Sequence, residues 1–408
     1  MGPVTAAGAL PLVDSEDVAW FRDRPDGARG AAAALGRRIG LGEQRTAELV
    51  LAVAELAANV TKHAVDGSVL LRVVRNEAVA GVELIVVDSG PGMADVPGAL
   101  RDGVSTAGTL GIGLGAVGRL ADTFDIHSQP GLGTVQLARF WPRPLPPSVT
   151  GEPLVAGITR PIGGEQVCGD AWAARTDTNT APSSARAADN GADPAPDVRP
   201  NWSALTRTQP FGGKAASPQR PSTRPSITGR SSIPVRAAVA GPGQGYLVMS
   251  CDGLGHGPMA SVAAQAAVHA FRTGGARTPE QAIEQMHRAL RGTRGAAVAV
   301  ARIEPDGRLL FCGVGNITAA LATTGTRSTL LSHPGIVGHQ MHQLRTYEHH
   351  LPTHGILVMH SDGLSERWRA TDLAGLLHRP PALIATALLR LAGTRRDDAS
   401  AVIARAAR

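Results

Sequence analysis

The chain has 408 residues, of which 43% are apolar, 18% charged and 3% aromatic, with a formal net charge of +6. That length accommodates two ordinary domains and a connecting segment. Lys62 and Lys214 are the only lysines and the arginines are dispersed, whereas a nucleic-acid binder wants clustered cations with aromatics between them, so no nucleic-acid partner is expected. No run approaches the roughly 18 apolar residues of a membrane span, and Met1 to Trp20 lacks the basic start and apolar run of a secretory signal. Cys168, Cys251 and Cys312 are too few for a disulfide framework and lack metal-ligand spacing. The expectation is a reduced, cytoplasmic protein with no membrane partner.

In chain order, the first strong signal lies between Glu43 and Ala64. Leu49, Val53, Leu56 and Val60 recur at helical spacing, which predicts a helix packed on a sheet. Glu48, Ala52, Glu55, Asn59 and Lys62 run along a neighbouring face. Glu55 and Asn59 are four apart and project together, and a carboxylate beside an amide oxygen suits magnesium. Taken alone, the pair is better read as a polar helix face in water. Val82 to Val87 then reads as a buried strand ending in Asp88-Ser89-Gly90-Pro91-Gly92. An aspartate there can accept from an exocyclic amine while the glycines keep the backbone close to a flat ring. Gly111-Ile112-Gly113-Leu114-Gly115 opens a predicted helix through Leu120, and free N–H groups at a helix start favour phosphate. Gly131-Leu132-Gly133-Thr134 leads into a strand over Val135 to Phe140.

The order Glu-x-x-x-Asn, Asp-x-Gly-x-Gly, Gly-x-Gly-x-Gly, Gly-x-Gly-Thr resembles the GHKL (Bergerat) ATPase fold, and most closely the small anti-sigma serine kinases of the RsbT and RsbW type. The resemblance covers roughly Asp14 to Arg143. It implies ATP with magnesium as cofactor, Asn59 on the cation, Asp88 on adenine, and Gly90, Gly92, Gly111, Gly113, Gly115 and Thr134 around the nucleotide. It also implies Glu55 as general base toward a protein serine, although domains of this kind also serve as ATP sensors or partner switches.

Between about Thr176 and Val235 the apolar periodicity disappears and nine prolines occur. Such a segment cannot bury enough surface to offset its ordering entropy, so a disordered insertion is expected at about 176–235. On either side the pattern resumes. Gly163 to Asp170 closes one segment; a buried strand, Tyr246 to Cys251, runs into Asp252-Gly253-Leu254-Gly255-His256-Gly257. Helices are predicted over Pro258–Phe271 and Pro279–Leu290, and strands over Ala296–Ile303, Leu309–Gly313, Ile356–His360 and Ala401–Ala404. Ser361-Asp362-Gly363 follows the third of these strands, and Asp397-Asp398-Ala399-Ser400 precedes the fourth. Single aspartates at strand ends are commonly turn formers or caps. Four of them, most beside glycine, point instead to a shared site, because assembled carboxylates repel unless cations neutralise them. Two hard cations about 3.5–4 Å apart suit phosphoryl chemistry.

This second pattern resembles the SpoIIE-like branch of the PPM metal-dependent protein phosphatases, especially the short RsbX-type enzymes, over about Gly157 to Arg408 less the insertion. The resemblance implies two Mn2+ or Mg2+ ions, with Asp252 bridging them and the Gly253 carbonyl as a ligand. Asp170 would complete one ion, and Asp362 and Asp397 would hold the other. His256 would donate a proton to the leaving serine oxygen or order water, and Asp398 would stand outside the ligand set. The expected fold class is α/β (α+β): a Bergerat-type helix/sheet sandwich in residues 1–147, then a PPM-type double-sheet sandwich flanked by helices in 148–408. The implied activity is dephosphorylation of a phosphorylated STAS-domain anti-sigma antagonist or similar regulator. A kinase/phosphatase acting on one regulator and a non-catalytic ATP-sensing scaffold stay open as alternatives, as does a homodimer.

Overall fold

The computed structural model describes residues 12–22, 24–75, 79–101, 113–145, 149, 151–163, 165–176 and 245–406. The expected insertion lies outside them, apart from Thr176, which is the last residue of a strand. Gly111 also lies outside them.

The N-terminal part is one antiparallel sheet in the order β1-β2-β3-β5-β4: β1 (Leu12–Phe21), β2 (Ser68–Arg75), β3 (Ala80–Asp88), β4 (Thr123–Gln129) and β5 (Gly133–Phe140). Helices α1 (Ala28–Arg38), α2 (Glu43–His63) and α3 (Gly113–Leu120) are joined to it. Helix α2 starts with Glu43 and ends with Lys62 and His63, charges that complement the helix dipole. Its predicted stripe, Leu49, Val53, Leu56 and Val60, is buried against Val69, Leu71, Val73, Leu84 and Val86. Helix α1 crosses α2 closely, because a Cβ at Gly36 would stand only 2.7 Å from the Thr46 hydroxyl.

Two further antiparallel sheets form the C-terminal part. Their strands are β6 (Val155–Arg160), β7 (Asp170–Thr176), β8 (Tyr246–Gly253), β9 (Ala296–Ile303), β10 (Arg308–Val314), β11 (Thr318–Ala322), β12 (Arg327–Leu330), β13 (Tyr347–His350), β14 (Ile356–His360) and β15 (Ala399–Ala404). The orders are β13-β10-β9-β8-β7 and β12-β11-β14-β15-β6. The sheets face each other across a core of Trp172, Val248, Ala299, Phe311, Ala319, Leu357 and Val402. Helices α4 (Gly257–Thr273) and α5 (Pro279–Ala289) cover the outside of the first of these two sheets. Thr176 and Tyr246 are register partners, so the strands on either side of residues 177–244 lie side by side.

Helix α6 (Pro381–Ala392) is apolar on every side and buried accordingly. It fills the space between the outer face of the second sandwich sheet and the N-terminal sheet, where Leu70, Ile85, Val135 and Leu137 join its core. Both faces of the N-terminal sheet are therefore covered, and its strands read as continuous apolar runs. Arg72 ties the parts together: it donates to Glu83 at 2.7 Å and to the Gly157 carbonyl of β6 at 2.5 Å. Trp20 donates to the Thr159 carbonyl at 2.8 Å. Among the described residues no helix is long and apolar enough to cross a membrane.

Candidate active site and nucleotide site

Strand pairing brings the first two aspartates face to face. Asp170 opens β7, Asp252 lies near the end of β8, and the two are direct register partners. Like charges at opposed strand positions are destabilising without a counter-charge. The other two come from the facing sheet: Asp362 follows β14 and Asp397 precedes β15, strands held in register by pairs such as His360 with Ala401. Asp362, Thr394, Arg396 and Asp397 line a cleft of about 470 Å3.

The electrostatics record how close the four are. Burial pushes the Asp252 carboxyl up, and Asp170, Asp362 and Asp397 push it further, to about 9. Asp170 is raised to about 7, first by burial and then by Asp398 and Asp362. Ser361 and Ser400 stand beside Asp170 and oppose that rise, yet neither of its buried carboxylate oxygens has a hydrogen bond of good geometry. Burial and Asp397 raise Asp362, while Asn316 donates to its Oδ2 at 2.5 Å. Asp398 uses both oxygens on backbone, accepting from Ile162 at 2.7 Å and Gly169 at 2.6 Å.

The loop after Asp252 is shaped by glycine. A Cβ at Gly253 would fall 2.3 Å from the Ala260 carbonyl, and Gly255 and Gly257 take φ of 85° and 72°. His256 sits at the N-cap of α4, exposed, with Nδ1 3.5 Å from Glu165 Oε1. Neither Glu165 nor the contact of Asn316 with Asp362 was legible in the sequence as part of the site.

These groups fit hard divalent cations. Two buried carboxylate oxygens with only the poorly aligned Ser361 and Ser400 hydroxyls beside them suit a positive partner, and the donor set is all oxygen. Among the described residues no three His, Cys, Asp or Glu side chains close on one point as a single-ion cage. A two-ion site spreads its carboxylates and takes further ligands from carbonyl and water.

Two expectations follow. Asn316→Ala frees Asp362 to turn, and manganese affinity is expected to fall about 10- to 100-fold by calorimetry, the usual scale for a group that orients a ligand. In metal-free protein, Asp170 and Asp252 hold their protons more tightly folded than unfolded. Stability is therefore lost as pH rises from the ordinary carboxylate value of 3.8 toward about 9. Melting in EDTA should show wild type losing ground to Asp252→Asn across that window. A difference that does not vary with pH would contradict the clustering.

The nucleotide motifs also converge in part. Asp88 ends β3 as register partner of Thr134, and its Oδ1 accepts from the Gly90 N–H at 2.7 Å. Burial raises its carboxyl, against the Gly90 N–H, Arg390 and the Thr134 N–H. The Ser89 N–H donates to the Val65 carbonyl at 2.8 Å, which seats the Asp88–Gly92 turn beside the end of α2. Gly92 has φ 68°, and a Cβ there would lie 2.1 Å from the Gln129 carbonyl. Thr134 shares a 2.9 Å hydrogen bond with Ser128. Gly113 opens α3 and Gly115 lies within it. Glu55 and Asn59 are half-buried on α2, and neither side chain has a hydrogen bond to another described residue.

Residues 23–139 match the histidine kinase-like ATPase domain family, and residues 242–407 match stage II sporulation protein E (SpoIIE). Over 117 residues, 28% of this chain and 88% of the relative, the sequence is 38% identical to the serine/threonine-protein kinase RsbT of Bacillus subtilis (strain 168). Similar solved structures include RsbX in complex with magnesium, at 16% identity and TM-score 0.39, covering 61% of this chain and 92% of that one. They also include the PP2C phosphatase domain with a fragment of the regulatory domain of SpoIIE from Bacillus subtilis, at 11% identity and TM-score 0.39, covering 80% and 79%.

Proposed function

We propose, from a chain that belongs to the RsbT family of histidine kinase-like ATPases and carries a SpoIIE-type phosphatase domain, that it is a metal-dependent serine/threonine protein phosphatase acting in bacterial partner switching. Its substrate is a phosphorylated STAS-domain regulator. The observation that supports this most is the opposition of Asp170 and Asp252 in one strand pair, with Asp362 and Asp397 brought to the same end by the facing sheet.

In this reading Asp170, Asp252, the Gly253 carbonyl, Asp362 and Asp397 would hold two divalent ions, Asp252 being shared between them. The ions supply Lewis acidity, lowering the pKa of water and neutralising phosphoryl charge. The chain's own residues do the rest. Asn316 fixes the rotamer of Asp362, and Asp398 fixes the Gly169 and Ile162 backbone under Asp170. His256 would offer a proton to the departing seryl oxygen, with Glu165 Oε1 3.5 Å from its Nδ1 to orient the ring. Phosphate release from phosphorylated and unphosphorylated STAS proteins, with manganese, tests the substrate class. Equal inertness toward phosphoserine protein and p-nitrophenyl phosphate would reject the reading.

The N-terminal part would bind ATP with magnesium, with Asn59 holding the cation and Asp88 the adenine amine. Asn59→Ala should weaken binding only when magnesium is present, whereas Asp88→Asn should weaken it with or without magnesium. Calorimetry on the full chain distinguishes the two. Absence of any ATP binding by wild type would leave that half as a partner-binding scaffold. Glu55 and Asn59 are both retained and unengaged, so serine kinase activity on the same regulator is the second reading, tested by phosphate transfer from ATP to the unphosphorylated STAS protein.

A further inference from the structure

Where helix α6 meets the N-terminal sheet, a cavity of about 50 Å3 lies between the two halves. Its wall includes Arg160 from the end of β6, Arg390 from α6, Arg395 just beyond α6, and Asp66, Asp88 and Thr386. Three arginines thus face two aspartates. Asp66 is taken by Arg395, with contacts of 3.0 and 3.1 Å. Asp88 faces Arg390 and already accepts from Gly90.

Arg160 is left over. Its guanidinium has five donors but makes no hydrogen bond to a described residue, and its Nη2 is fully buried. No carboxylate supports its charge, while Arg22 and Arg395 oppose it; burial is the main cause of a pKa lowered to about 10. Arg390 likewise has a buried Nε without an acceptor. The fold makes room for this arrangement, since a Cβ at Gly393 would come within 2.9 Å of Arg160 Nη1 and Nη2. A buried guanidinium donor left without an acceptor is destabilising, and Arg160 Nη2 and Arg390 Nε are two such donors around one cavity.

We propose that this seam is a binding site for a small tetrahedral oxyanion, with inorganic phosphate as its representative, held by Arg160 and Arg390. One water needs about 10–15 Å3, so a space of about 50 Å3 has room for more than a single water and admits a small polyatomic ion. Planar guanidinium forks match two oxygens at a time, which a spherical halide does not offer. The site borders the candidate nucleotide site, whose Asp88 forms part of its wall, but its two guanidinium groups are assigned to neither candidate centre. The bound ion would join β6 and α6, elements that lead into the loops of Asp170 and Asp397.

The test uses the full chain in EDTA without nucleotide, titrated with phosphate at ionic strength held constant by sodium chloride, and followed by melting and calorimetry. Wild type is expected to bind phosphate saturably and to gain several degrees in Tm. Arg160→Gln removes the unpaired charge. It is expected to melt above wild type without phosphate, to show no phosphate response, and to lose its advantage over wild type at saturating phosphate. If Arg160→Gln does not fold, Arg160→Lys keeps the charge without the fork and should bind phosphate at least about tenfold more weakly. ATP in place of phosphate separates a free oxyanion from a nucleotide phosphoryl group, since any ATP response should be the same in wild type and in the folded Arg160 variant. Absence of saturable binding by wild type, a phosphate response unchanged in the variant, or an ATP response lost with Arg160 would each overturn the assignment.

Discussion

Asp252→Asn is expected to lower phosphate release by at least about 10^2- to 10^3-fold, the scale of losing one group aimed at charge developing in a transition state. The expectation rests on position. Asp252 is the carboxylate that Asp170, Asp362 and Asp397 all act upon, so it stands at the centre of the cluster. An amide keeps the shape and removes the charge, and in EDTA the variant should be at least as stable as wild type because a like-charge contact is gone. Turnover of p-nitrophenyl phosphate with manganese, beside a melting curve, separates lost chemistry from lost fold. Near-wild-type turnover would remove Asp252 from the ion-bridging position.

Glu83→Gln is expected to destabilise the chain by about 3–5 kcal/mol, the range for removing one member of a buried ion group. Glu83 is 1% exposed and lies between Arg72 and Arg139, at 2.5 and 2.6 Å. Burial pushes its carboxyl up, but the two guanidinium groups outweigh burial and the net shift is downward. Without its charge, Arg139 keeps only the half-exposed Glu152, and Arg72 keeps the Gly157 carbonyl across the seam. Urea unfolding of the full chain measures the loss, and faster hydrogen exchange in β6 should accompany it. A loss below about 1 kcal/mol would mean that the arginines find other acceptors.

Helix α2 was legible from its one-sided apolar stripe, and several strands buried on both faces from short continuous apolar runs. The stripe of α2 and the strands β3, β8, β9 and β14 all follow from these patterns and end within a few residues of the expected bounds. Helix α6 was not legible, because Ala382 to Leu389 are buried on all sides and leave no polar stripe to mark a helix. With α6 unrecognised, the seam and its arginines were invisible too. Register was equally hidden: nothing local says that Asp170 pairs with Asp252 across the long interval between them. The glycines beside the aspartates were informative because the backbone there is crowded, as at Gly253, or left-handed, as at Gly255 and Gly257. Asn316 and Glu165 act through one contact each, and single polar residues in loops carry no periodic signal.

The most direct test of a two-ion phosphatase is a manganese titration of the metal-free full chain, read by calorimetry and by phosphate release from a phosphoserine STAS protein in the same samples. Two ions per chain are expected, with turnover appearing only as both sites fill and disappearing in EDTA. Asp252→Asn should lose the turnover and bind fewer ions. Phosphate release that persists in EDTA, or full turnover with no manganese bound, would contradict the account.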